Sequence, residues 1–219
     1  KGCTKLTSVP DLPATTLTEQ CYESMFEGCT SLETAPNLSA TKLAYSCCGN
    51  MFSGCTSLKT PPILPALETY HLCYDSMFSG CTSLITAPVL PATTLANSCY
   101  QYMFKDCTSL TTAPVLPATT LSDSCYAEMF YNCTNLTTVL ELSGEILTIS
   151  CYRNMFYNCT KLNYIKVNFT NWRQYNQTAR PTLNWVKNVS PTGTFECPSQ
   201  LSVQYGESYI PENWDVVTF

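Results

Sequence analysis

A step of 26 residues governs this chain. The phrase Met77-Phe78-Ser79-Gly80-Cys81-Thr82-Ser83-Leu84 returns five more times as Met-Phe-x-(Gly/Asp/Asn)-Cys-Thr-x-Leu, and a partial copy, Gly2-Cys3-Thr4-Lys5-Leu6, opens the sequence. Cys3, Cys29, Cys55, Cys81, Cys107, Cys133 and Cys159 follow one another at that step with no insertion or deletion. A fixed period of about 20–50 residues signals a stack of coils, each burying its apolar side only against its neighbours. The expected organisation is a solenoid over residues 1–165 with a capping segment at 166–219. Function is then expected on a repeated surface, not in one pocket.

Fifteen cysteines ordinarily suggest disulfides or metal sites, but their placement opposes both. Cys21, Cys47, Cys73, Cys99, Cys125 and Cys151 form a second series with the same 26-residue step, leaving only Cys48 and Cys197 outside the pattern. The two series lie eight residues apart within a repeat; if helical, that is a rise of about 12 Å, too far for a disulfide. Between repeats, equivalent cysteines stack about 4.8 Å apart with parallel side chains, whereas a disulfide needs converging ones. Free thiols buried as small apolar groups fit better. No cofactor or metal is expected, because the single histidine, His71, stands at a variable position.

Within a repeat, the segment after the first cysteine reads as a short helix, about Cys125 to Tyr131. Its variable positions, such as Asp75, Ser76 and Ser79, are spaced i, i+1 and i+4 and share a face, with Cys, Tyr, Met and Phe opposite. The residue before the next cysteine is Gly28, Gly54, Gly80, Asp106, Asn132 or Asn158, a set that tolerates a left-handed backbone at a helix end. The other half carries Leu84-Ile85-Thr86-Ala87-Pro88, which places Leu84, Ala87 and Val89 inward. Proline cannot donate to a ladder, so Pro36, Pro62, Pro88 and Pro114 predict a narrow sheet.

The Met-Phe-x-Gly-Cys-Thr-Ser-Leu phrase, followed by a short strand and a proline, resembles the BspA-like leucine-rich repeats of bacterial surface proteins over roughly residues 1–165. The resemblance implies an α/β solenoid, a right-handed coil with a narrow parallel sheet on one side and short helices on the other. It also implies a secreted or outer-surface bacterial protein whose relatives serve adhesion and partner binding. Because the chain starts in mid-repeat, a targeting segment is expected upstream.

Composition narrows the partners. Only 12% of residues are charged, 11 basic against 16 acidic, for a net charge of −5. Nucleic acid is therefore not expected, since phosphate binding needs clustered Lys and Arg. No apolar run reaches the ~18 residues of a membrane span. No fixed pair of carboxylates, phosphate loop or nucleophile motif points to an enzyme. Two repeated rows could bind a partner. One is Thr34, Thr60, Thr86, Thr112 and Thr138, beside the variable Lys59 and Ile85. The other is Tyr22, Tyr74, Tyr100, Tyr126 and Tyr152, which could stack on a glycan or pack in the core. The leading expectation is a protein-binding surface. A glycan-binding alternative uses the tyrosine row or Trp172, Trp185 and Trp214 of the C-terminal segment. There, residues 181–189 read as a short helix, and 193–197 and 210–217 as strands.

Overall fold

A computed structural model describes residues 1–172 and 180–219. The repeat becomes a stack of coils in which each position lies over its counterpart. Parallel bridges join Leu12 to Leu38, Thr34 to Thr60, Glu68 to Thr94, Thr86 to Thr112 and Thr120 to Ile146. In the proline-bearing coils the bridges stay isolated. Extended pairing begins at β1 (Thr138–Leu142), where Leu140 stands in the place of the prolines and restores a backbone donor. β1 then pairs in parallel with β2 (Tyr164–Val167), β2 with β3 (Thr194–Cys197) and β3 with β4 (Asp215–Thr218), in the order β1-β2-β3-β4.

The opposite side differs from the expected helices: among the described residues the structure has none. The Cys-Tyr-x-x-Met-Phe segment is a run of turns with a left-handed residue at every fourth position, for example Ser46, Asn50 and Gly54, or Ser98, Tyr102 and Asp106. Backbone donors alternate along it. Met51 N–H bonds back to the Cys48 carbonyl within its own turn, and Phe52 N–H bonds to the Met77 carbonyl of the following coil. Ser53 and Gly54 repeat the pair, donating to the Asn50 and Ser79 carbonyls. A helix would satisfy all these donors within the segment; here half are spent joining coils. The turn tract also replaces the helix expected at 181–189, with Arg180, Asn184 and Asn188 left-handed.

Two aromatic columns and the thiols fill the interior. Phe52, Phe78 and Phe104 stack at 5.6 Å between successive centroids, within 5° of parallel. Tyr74, Tyr100, Tyr126 and Tyr152 stack at 5.8–6.0 Å. Each thiol of the series from Cys55 to Cys159 donates to the carbonyl of a phenylalanine in the preceding coil, as Cys107 Sγ does to Phe78 O at 3.1 Å. All fifteen cysteines are free and all but Cys3 and Cys21 are buried, Cys48 among them. Burial pushes Cys99 up to about 11, and Cys55 and Cys151 up to about 12. Because the thiolate is the reactive form, Ellman titration of native protein is expected to count two fast thiols and to find the rest only after denaturation.

The coil pattern runs on past residue 165. Tyr152, Asn154, Phe156 and Asn158 donate to the carbonyls of Pro181, Leu183, Trp185 and Lys187. Trp185, 26 residues after Cys159 in sequence, takes in the stack the place that Met155 holds one coil earlier, its carbonyl accepting from Phe156 as that of Met155 does from Phe130. Its fully buried indole lies 6.2 Å from the Tyr152 ring and 6.1 Å from the Phe156 ring, so one side chain terminates both aromatic columns. Its Nε1 donates to Tyr209 O at 2.7 Å, and Trp172 and Trp214 donate to the Ser202 and Ser190 carbonyls, so these indoles are buried with their polar edge satisfied.

Asp75 belongs to the half-buried face of a turn. Burial pushes its carboxyl up to about 6, the nearby Glu23 adds to this, and the Ser76 hydroxyl, 3.1 Å from Oδ2, opposes it. The folded state thus holds this proton more tightly than the unfolded chain. The resulting stability is fully present below the ordinary value of 3.8 and is lost as pH rises through about 6. Asp75→Asn is expected to stabilise by on the order of 1 kcal/mol near pH 7.5, discounted for partial exposure, and not at all near pH 3.5. Urea midpoints at the two pH values check this.

Candidate binding surface

The bridged side of the stack presents one set of variable positions. Thr34, Thr60, Thr86 and Thr112 are exposed and Thr138 is half-buried, each bridged to its counterpart or to the next in the row. The row passes into Tyr164, which pairs with Thr138 and donates its hydroxyl to Glu196 Oε2 at 2.5 Å. Glu196 raises the Tyr164 phenol to about 12, while Tyr164 and Lys166 hold the Glu196 carboxyl below its usual range. Beside the threonines, Glu33, Lys59, Ile85, Thr111 and Thr137 are all exposed. Lys59 Nζ and Glu33 Oε2 are 3.1 Å apart with most of both side chains in water, so this ion pair contributes little, about 0–1 kcal/mol.

The tyrosine row does not belong to this surface. Tyr74, Tyr100, Tyr126 and Tyr152 are buried, and Tyr22, in the first coil, is half-buried. The four buried rings stack on one another, the place next to Tyr22 in the row is taken by Cys48, and Trp172, Trp185 and Trp214 are buried as well. Of the residues on which the glycan alternative depended, all but Tyr22 are core. The physical reason is the four-residue turn geometry, which sends Tyr and the Phe four positions later inward together.

Val89 also departs from expectation. It points outward, and the inward positions of its stretch are Leu84, Pro88, Leu90 and Ala92. Its counterparts Ile63 and Val115 are likewise exposed, forming an outward apolar row. The signal was present in the sequence: Leu90 and Val89 are neighbours in extended chain and take opposite faces. A second missed row lies on the turn side, where the Tyr131 and Tyr157 rings stack at 4.8 Å. Lys105 Nζ sits 5.1 Å from the Tyr131 centroid and Lys187 Nζ 5.9 Å from that of Tyr157, closing both outer faces.

His71 is exposed, with Nδ1 2.9 Å from the Asn97 carbonyl and its ring tilted against Tyr45. Among the described residues no group of three or more His, Cys, Asp or Glu could hold a metal ion, and no helix is long and apolar enough to cross a membrane. A cleft of about 290 Å³ beside Val186, Pro191 and Pro211 has Glu207 and Glu212 as its ionisable lining.

The stacked, in-register coils with a parallel sheet define a repeat solenoid. The chain matches the family described as "BspA type Leucine rich repeat region", in six copies, over residues 1–111 and 98–179. It belongs to that family. A solved leucine-rich repeat protein from Bacteroides ovatus ATCC 8483 is 18% identical, with 98% of this chain and 75% of that one covered and a TM-score of 0.38. No curated protein matches the chain.

Proposed function

We propose that this chain is a non-enzymatic recognition module of a secreted or outer-surface bacterial protein, with the bridged side as its protein-binding surface and residues 166–219 as its cap. The observation that carries this reading is the division of labour within each coil. Interior positions repeat as Cys, Phe, Leu and Met, whereas the exposed position beside the threonine row changes from Glu33 to Lys59, Ile85 and Thr111. A stack that varies chiefly outward has the form of a scaffold for recognition. The family's repeats, typical of bacterial surface proteins and of protein interaction, support the same reading. The cap is supported by Trp185, which covers the ends of two aromatic columns.

The test uses photo-cross-linking side chains introduced at Thr86 on the bridged side and at Arg153 on the turn side, both exposed. Exposed to a mixture of host and bacterial surface proteins, the Thr86 probe is expected to trap a discrete partner that the Arg153 probe does not. Equal trapping at both sites, or none at Thr86, overturns the assignment.

A further inference from the structure

We infer that the row Asp11, Asn37, Ile63, Val89, Val115 and Glu141 is a docking line for an extended segment of a partner protein, apolar in its middle and basic at both ends. The inference rests on the recognition reading above and names the chemistry of the partner for that surface.

The six residues occupy one position in successive coils. Along the row the chemistry runs from carboxylate to amide, to three branched apolar side chains, and back to carboxylate. The apolar members are unusually open: Ile63 is 63% exposed, Val89 80% and Val115 64%. Leu67 at 62% and Ile85 at 55%, also on this side, widen the strip. Isolated apolar residues on a surface need no explanation, but a contiguous strip rimmed by polar groups marks an interaction site.

The ends decide what covers it. Asp11 Oδ1 accepts the Asn37 N–H at 2.8 Å, and Asn37 Oδ1 accepts the Ile63 N–H at 3.3 Å, so the acidic end is tied into the ladder. Glu141 Oε1 accepts Asn168 Nδ2 at 2.6 Å. Both carboxylates are exposed, and neither is in an ion pair among the described residues. Among the exposed charges on this side, Glu33, Glu68 and Glu145 outnumber Lys42 and Lys59, Lys59 already faces Glu33, and the half-buried Lys166 near the Glu141 end is paired with Glu196 at 3.0 Å. A second copy of this chain is a poor occupant, because pairing two such strips sets carboxylate against carboxylate in either direction. A basic-ended segment pairs with both ends and covers the apolar centre. At about 4.8 Å per coil, the five steps from Asp11 to Glu141 span about 24 Å, the length of about seven residues of extended chain.

Selection of random heptapeptides displayed on phage against the purified protein tests the inference. Enriched sequences are expected to carry Lys or Arg at both ends of an apolar centre, and their binding to weaken as salt rises. Val89→Asp, at a position outside the core, is expected to weaken the selected peptides about tenfold or more. Asp11→Asn with Glu141→Gln is expected to abolish the preference for basic ends while leaving some binding of the apolar centre. Charge-neutral or acidic winners, no enrichment, or indifference to Val89→Asp overturns the inference. Trapping by the Thr86 probe that survives Val89→Asp unchanged leaves the recognition reading standing and removes this docking line. Failure of the Thr86 probe removes the reading itself.

Discussion

Phe104→Ala is expected to lower the unfolding free energy by about 3–5 kcal/mol, the range for emptying a buried aromatic site. Phe104 is fully buried between Phe78 and Phe130, each ring centroid 5.6 Å away and within 8° of parallel. Ordinarily neighbours relax into part of such a cavity. Here they are held apart, because Phe78 N–H is bonded to the Met103 carbonyl and Phe104 N–H to the Met129 carbonyl, fixing the spacing of all three coils. In a stack whose stability is a sum of coil and interface terms, this change also weakens the coupling between the halves on either side. Urea unfolding followed by circular dichroism is expected to show a lower midpoint and a broader transition, with Cys107 and Cys133 becoming reactive at lower urea than in the unsubstituted protein. A loss under about 1 kcal/mol, which is the scale of a surface change, refutes the stacked-column account.

The second large effect is at Gly193→Ala. A Cβ here lands on the carbonyl of Asn163 and 2.8 Å from Trp214 Cε2. Neither obstacle can give way cheaply. The Asn163 carbonyl accepts the Thr194 N–H at 2.9 Å at the head of β3, and the Trp214 indole is anchored through Nε1 to the Ser190 carbonyl at 2.8 Å. Overpacking against backbone falls at the upper end of its range, about 3 kcal/mol. The loss is expected to be local, since coils open from an end inward. Cys197, buried in β3, is expected to become reactive to thiol reagents under conditions where Cys81 stays protected. Simultaneous exposure of both thiols contradicts a stepwise stack, and unchanged protection of Cys197 contradicts the close approach at Gly193.

Much of this was legible because the repeat is unbroken. A constant step means every residue meets its own kind in the next coil, so the burial of thiols and the Thr34–Thr138 row could be read by counting. The helix reading failed at a specific place. Positions i, i+1 and i+4 share a face of a 3.6-residue helix, and they equally share a face of four-residue turns. Over the eight residues from Cys73 to Gly80 the two periods drift apart by less than one residue, too little to separate them. A finer signal was available: Asn50 and Gly54, like Asn154 and Asn158, place residues tolerant of left-handed backbone four positions apart, not only at the last. Leu72, Tyr102 and Glu128 adopt the same conformation without that tolerance, which shows that inter-coil bonding overrides local preference there.

On the binding surface, which positions vary was plain from the sequence, and the alternation that turns Ile63, Val89 and Val115 outward while Leu64, Leu90 and Leu116 turn inward was present in it as well. By itself the sequence determined the register of the stack, the two stacked series of cysteines, and the place beyond Cys159 where the period ends. Tertiary structure alone decided that the turn side is not helical, that the tyrosines are core, and that Trp185 ends two columns. The reason is the location of the hydrogen-bond partners: half the donors of each turn tract find their carbonyl in the following coil, and no property of a single repeat reveals a partner that only stacking supplies.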